Sequence, residues 1–425
     1  MNKVSIFLVF GLVAALVTSC GDPITINKKI VTGEASHISC RNAVISGKAS
    51  IKETASTDLT FGVLYSTNSG VLIGTATQIQ ATSFDSDYNF SVFTEVLEPE
   101  TTYYYRSFIS QNGEITYGDT KSFTTLPLSS MIQTLDITEI KATEAVLRAS
   151  LNLANCRYDN LYYGFVLTEQ GGMSEQVDAK NLSETVYSVK ATTLLPDTDH
   201  TAAAFVKLDG RTYTAENKTF ATRQIQLSTG AVDMGLSVKW RGCNVGASRP
   251  EDYGDYYAWG ETTTKSTYNW STYTLCGGSS TTMTKYCTRS SYGTVDGKTT
   301  LEKTDDVAAQ KLGGSWRIPT EWDWEQLKDK DNCTWKWFQY NGKNGYLVIS
   351  KKTNNAIFLP VAGGYRGNML EGAGSSGYYW SSSLYTYYYA ENYMAHFFYF
   401  NSTTVYDPGI SDRCDGLSVR PVCDR

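Results

Sequence analysis

The sequence predicts a multidomain fold, with two all-β sandwiches followed by one α+β domain. Three observations carry this prediction. An apolar run opens the chain, motifs around residues 97–125 recur around residues 194–222, and the composition shifts abruptly beyond residue 224. At 425 residues the chain exceeds one ordinary domain of roughly 100–200 residues. Apolar residues make up 41% and charged residues 19%, a balance that buries cores rather than staying disordered. A formal net charge of −6 argues against nucleic-acid binding through a basic surface. Three histidines leave little room for a His-rich metal or catalytic centre.

The first residues address the compartment. Lys3 precedes an apolar run, Val4 to Val17, interrupted by Ser5 and Gly11. That is too short for a spanning helix of about 20 residues but suits a signal sequence. It ends in Val17-Thr18-Ser19-Cys20, which resembles a bacterial lipobox. The resemblance implies a signal peptide over 1–19, lipidation of Cys20 and a short tether over 20–27. The expected location is the outer membrane, lipid-anchored and facing the cell surface. Each buried methylene of the anchor contributes about 0.8 kcal/mol. No later stretch is long and apolar enough to span a membrane.

The middle of the chain repeats itself. Leu97-Glu98-Pro99-Glu100-Thr101-Thr102-Tyr103 is echoed by Leu194-Leu195-Pro196-Asp197-Thr198-Asp199-His200. Lys121-Ser122-Phe123-Thr124-Thr125 returns at the same offset as Lys218-Thr219-Phe220-Ala221-Thr222. The dipeptides Asn112-Gly113 and Asp209-Gly210 favour the positive φ of tight hairpins. Tyr103, Tyr105 and Ser107 alternate with Tyr104, Arg106 and Phe108, as a strand requires. Phe61-Gly62-Val63-Leu64-Tyr65 echoes Tyr163-Gly164-Phe165-Val166-Leu167. Short strands in units of this size predict sandwiches over 28–126 and 127–223. The L-x-P-x-T-x-Y pattern resembles the fibronectin type III family, whose sandwiches are immunoglobulin-like. That resemblance implies that the Tyr103 hydroxyl bonds the backbone at a corner; His200 departs from the pattern in the second copy, although its ring can still donate one hydrogen bond.

All nine Trp lie at or beyond Trp240, and 19 of the 30 Tyr lie beyond residue 250. A last domain therefore spans 224–425. Its motifs run Val232-Asp233-Met234-Gly235-Leu236-Ser237-Val238-Lys239-Trp240, Tyr253-Gly254-Asp255-Tyr256-Tyr257-Ala258-Trp259-Gly260-Glu261, Gly313-Gly314-Ser315-Trp316-Arg317-Ile318-Pro319, Tyr378-Tyr379-Trp380-Ser381 and Gly416-Leu417-Ser418-Val419-Arg420-Pro421. Together these resemble the Fibrobacter succinogenes major paralogous domain family. The resemblance implies an α+β fold similar to C-type lectins and to formylglycine-generating enzymes. Asp305 to Leu312 reads as a helix capped by Thr304 and stopped by Gly313. Thr320 and Asp323 read as a capping box before Trp324 and Leu327. Tyr346 to Ser350 and Ala356 to Leu359 read as strands around Asn354-Asn355. His396, Phe398 and Phe400 alternate with Phe397 and Tyr399, as in a strand buried on both faces.

Outside the cytoplasm cysteines can oxidise. The lectin-like resemblance implies that the terminal strands meet, favouring a Cys243–Cys423 disulfide. Cys276 and Cys287 could close a Gly/Ser/Thr-rich loop, worth roughly 3 kcal/mol. Cys333 and Cys414 are then left over, and six cysteines allow 15 pairings. Cys40 and Cys156 stand one to a sandwich and read as small buried hydrophobes.

His396 sits in an apolar strand context and reads as packed rather than catalytic, and no G-x-S-x-G, HExxH or P-loop is present. Asp305 and Asp306 read as charges at a helix start rather than as metal ligands. No metal, other cofactor or enzymatic activity is expected. The best lead is aromatic, with 12 of the 23 residues from Tyr378 to Phe400 being aromatic. Trp259, Trp316, Trp380 and Phe398 read as core. Tyr365, Arg366, Tyr385, Tyr387 and Tyr388 are the candidate ligand contacts, because exposed Tyr offers rigid area and Arg offers a donor fork. The expected partner is a glycan or a surface protein, with the sandwiches as spacers. The alternative is a subunit of a surface or fimbrial assembly, and a formylglycine-generating-type enzyme ranks third.

Overall fold

The computed structural model describes residues 29–50, 59–111, 113–156, 158–172, 174–180, 182–183, 185–387, 392–405 and 409–425. The signal peptide, Cys20 and tether expected from the sequence lie outside these residues. The chain divides into two compact units, Met1–Met131 with Asn152–Asp159, and Ile132–Leu151 with Asn160–Arg425.

The first unit holds strands β1 (Lys29–Ser36), β2 (Val44–Ser50), β3 (Leu59–Ser66), β4 (Thr77–Gln80), β5 (Asn89–Phe93), β6 (Thr102–Gln111), β7 (Glu114–Tyr117) and β8 (Lys121–Thr124). One sheet runs β1-β2-β5, and the other runs β4-β3-β6-β7 with β8 also on β6. The two sheets share a core through Ile45, Ala49, Phe61, Val63, Tyr103 and Tyr105. Alternation drives this packing: inward Tyr103, Tyr105 and Ser107 are buried while Tyr104 and Arg106 are half-buried. Phe108 departs from the alternation and is buried as well, in a satellite cluster with Leu64 and Val71. Gly62 is required by a neighbour, since a Cβ there would lie 2.0 Å from the Ile79 carbonyl oxygen.

The second sandwich uses β9 (Ile132–Thr134), β10 (Ala145–Leu151), β11 (Leu161–Glu169), β12 (Ser174–Asp178), β13 (Leu182–Ser183), β14 (Val186–Ala191), β15 (Asp199–Leu208), β16 (Arg211–Thr214) and β17 (Lys218–Ala221). Its sheets run β13-β14-β10-β9 and β12-β11-β15-β16, with β17 also on β15. The repeat is legible atom by atom. The Tyr103 hydroxyl accepts from the Glu98 N–H at 3.0 Å, and His200 Nε2 lies 3.3 Å from the Leu195 carbonyl. Thr125 and Thr222 hydroxyls donate to the Glu98 and Leu195 carbonyls at 2.7 and 2.6 Å. A Cβ at Gly164 would lie 2.3 Å from the Val177 carbonyl, repeating Gly62.

The C-terminal region continues with β18 (Ala231–Val232), β19 (Lys239–Arg241), α1 (Val307–Leu312), α2 (Glu321–Lys328), β20 (Cys333–Tyr340), β21 (Lys343–Ser350), β22 (Ala356–Pro360), β23 (Gly364–Arg366), β24 (Met369–Glu371), β25 (Ser376–Leu384), β26 (Met394–Asn401), β27 (Thr404–Val405), β28 (Gly409–Asp412) and β29 (Val422–Cys423). Its sheets are β18-β19-β29, β20-β21-β22, β23-β24 and β25-β26-β27, with β28 also on β26. The expected meeting of the two end strands is present, with Lys239 opposite Cys423 and Trp240 opposite Val422. The main core stacks Trp324 on Phe398 at 4.6 Å and 3°, beside Trp240 and Tyr379.

Several local expectations need correction. The first helix is shorter, and its cap is Asp306, which accepts from the Ala308 and Ala309 N–H groups, rather than Thr304. Asp306 wins because its second oxygen also takes the Ile318 N–H, at 2.7 Å, in a buried position. The capping box of Thr320 and Asp323 forms as expected. Strand β26 is fully buried on its His396, Phe398 and Phe400 face, while Phe397 and Tyr399 are half-buried. Trp259, Trp380 and Phe398 are core, but Trp316 is half-buried.

The boundary near residue 224 marks no break in packing. Asn354, in the β21–β22 turn, donates from Nδ2 to Thr143 Oγ1 at 2.9 Å and to Glu144 Oε2 at 3.0 Å. Glu144 is buried and also meets Lys141 at 2.5 Å and Lys190 at 2.7 Å. These ammonium groups hold its carboxyl below the usual range. Lys336 of β20 pairs with Glu169 of β11.

Candidate ligand-binding surface

The β23–β24 hairpin carries Tyr365 and Arg366 side by side with opposite environments. Tyr365 is half-buried, stacked on Tyr268 at 5.5 Å and edge-on to Tyr256 at 5.0 Å. It is therefore largely a packing residue. Arg366 is 64% exposed, with its guanidinium 3.8 Å from Asp415 and 3.7 Å from Glu371. Asp415 is buried and takes a 2.7 Å hydrogen bond from the Ser411 hydroxyl. Burial pushes its carboxyl up to about 6, with Asp412 adding to the rise and Ser411 and Arg366 opposing it.

Tyr385 and Tyr387 gather on a different residue, His396, at 5.4 and 5.9 Å and both edge-on. Tyr387 is 61% exposed, whereas His396 is buried. The His396 Nε2 lies 3.6 Å from Glu321 Oε2 in the first turn of α2. Burial lowers the affinity of the ring for a proton, against the attraction of Glu321. The His396 ring thus lies under the two tyrosine rings, with Glu321 as its nearest charged neighbour. Tyr388 lies outside the described residues.

The two sets are linked along one strand. Met394 and His396 of β26 pair with Asp412 and Ile410 of β28, and Asp412 leads through a turn into Asp415 beneath Arg366. Sequence reasoning missed Asp415, Glu321 and Trp322. Trp322 is 68% exposed in α2, and a helical wheel placing Trp324 and Leu327 inward would have turned it outward.

The eight cysteines among the described residues are free thiols, so the two expected disulfides do not form here. Cys423 faces Lys239 across the strand pair, and Cys243 lies beyond the end of β19. The Cys276 thiol is aimed at the Trp270 and Tyr273 carbonyls, and the Cys287 thiol at the Arg289 carbonyl, 3.1 Å away. Cys40 is buried as expected, but Cys156 is only half-buried, and both line one cavity of about 70 Å³. Among the described residues no group of three or more His, Cys, Asp or Glu side chains is placed to hold a metal ion.

No known protein family matches the sequence, and no curated protein does. Solved structures similar to it include the sensor domain of the anti-sigma factor RsgI4 in Pseudobacteroides cellulosolvens, 21% identical over 24% of this chain and 90% of that one, with a TM-score of 0.19. A two-domain fibronectin type III segment from chicken tenascin is 13% identical over 46% of this chain and 97% of that one, with a TM-score of 0.21. The chicken CNTN1 FN1-FN3 domains are 12% identical over 46% and 64%, with a TM-score of 0.19. The fibronectin type III-like character of the two sandwiches rests on their strand pairing and corner hydrogen bonds, not on these low scores.

Proposed function

We propose that the chain is an extracytoplasmic lipoprotein, anchored to the outer membrane through Cys20, whose C-terminal region binds a glycan or a surface protein. The two sandwiches act as spacers. In this reading the C-terminal region is a C-type-lectin-like member of the Fibrobacter succinogenes major paralogous domain family. We assign it no enzymatic role. The observation that supports the reading best is Tyr387, a large exposed ring held against His396 beside Tyr385. Rigid aromatics of this kind contribute contact area at little entropic cost. Among the described residues no helix is long and apolar enough to cross a membrane.

A glycan array probed with the lipid-free chain tests this reading. Sugar binding that falls at least tenfold in Tyr387→Ala and Arg366→Ala supports it. A silent array combined with co-purification of other surface proteins favours the second reading, a subunit of a surface assembly. One observation favours that alternative: Met369 and Leu370, at the hairpin tip beside Arg366, are 62% and 40% exposed.

A further inference from the structure

A second place in the C-terminal region has the chemistry of a binding site, and the sequence motifs did not point to it. The end of α2, the start of β20, β21 with the residue after it, and the β26–β27 turn line an open cleft of about 920 Å³. Small-molecule sites span about 300–1,000 Å³, so this one is at the large end. Its aromatic wall is Trp335 with Tyr346, whose rings meet edge-on at 5.5 Å. Trp335 is half-buried, and its indole N–H donates to the Leu327 carbonyl at 2.9 Å, which fixes the ring plane. Phe398 and Phe400 brace it from the core at 5.5 and 6.0 Å.

The rim is charged but balanced. Lys328 is engaged by Glu325 at 3.2 Å. The remaining charges in the lining are Lys330 and Lys351 against Asp329 and Asp331, all four exposed. An anion or a cation would meet repulsion from one pair. An apolar ligand would leave both pairs unused. A neutral ring with vicinal hydroxyls uses both, donating to carboxylates and accepting from ammonium groups, while its C–H face lies on an indole.

We propose that this cleft is a subsite for a neutral hexopyranose unit, stacked on Trp335 and held at its hydroxyls by Asp329, Asp331, Lys330 and Lys351. This rests on the reading that the C-terminal region carries the binding role, but it puts the sugar on a surface other than that of Tyr387 and Arg366.

The test titrates the full chain with cellobiose, lactose and mannobiose, followed by tryptophan fluorescence and saturation-transfer NMR. At least one disaccharide should bind saturably. Binding should weaken at least tenfold in Trp335→Leu and threefold or more in Asp331→Ala. Asp331 is an exposed rim residue, so its variant keeps the test valid if Trp335→Leu fails to fold. No binding of any of the three sugars overturns the proposal. Binding that survives Asp331→Ala and a folded Trp335→Leu also overturns it. If that surviving binding is lost in Tyr387→Ala, the reading of the other surface stands.

Discussion

At the scale of single residues, environment outweighs identity. Asp415 looks like any surface aspartate in the sequence, yet burial raises its carboxyl from 3.8 to about 6. A group raised on folding binds its proton more tightly in the native state. Its stabilising contribution is therefore complete below about pH 4 and is lost as pH rises through 6, by up to about 3 kcal/mol. Urea unfolding of the wild type and of Asp415→Asn across pH 4–7 should show the wild type losing this much relative to the variant. A parallel pair of curves would refute the assignment. Tyr103 is the contrasting case, because its pattern announced both its position and its bond. Tyr103→Phe removes the acceptor for the Glu98 N–H and should cost about 1–2 kcal/mol, read as a lower denaturation midpoint. What the sequence withheld at this scale was burial by distant segments, which decides that Tyr365 packs while its neighbour Arg366 is exposed.

At the scale of elements, local chemistry was legible wherever it was self-contained. The Thr320/Asp323 capping box closes within four residues, so it could be read directly. Thr320→Ala should cost about 1 kcal/mol, and circular dichroism melting of the two proteins would measure it. The cap of α1 was misplaced because its choice depends on Ile318, which a short window does not include. Asp306→Ala removes three buried acceptor contacts at once and should therefore destabilise more than Thr320→Ala. The cysteine pairs failed for the same reason, since their side-chain directions are set by strand register and by carbonyls they happen to face. The cleft at Trp335 was illegible because it draws on three stretches separated in sequence, residues 328–335, 346–351 and 403–405.

At the scale of the whole molecule, the repeat and the compositional shift gave the order of the parts but not their coupling. Nothing in the turn Asn354-Asn355 advertises that its first residue bonds Thr143 and Glu144. Asn354→Ala leaves the buried Glu144 with one donor fewer and should separate a single calorimetric transition of the second unit into two. An unchanged single peak would show that Lys336–Glu169 and the surrounding packing suffice. If Cys20 carries the proposed lipid, Cys20→Ala should move the protein from the membrane pellet to the supernatant on fractionation.

The pairing of Lys239–Trp240 with Cys423–Val422 also has a consequence in time. The early strand of the C-terminal region waits for a partner made near the other end of that region, and bringing such distant segments together costs closure entropy that only the finished contacts repay. During synthesis this part stays open while both sandwiches ahead of it already have every strand they need. A truncation that removes only the stretch from Val422 onward should leave the core around Trp240 without its seal, however intact everything upstream remains.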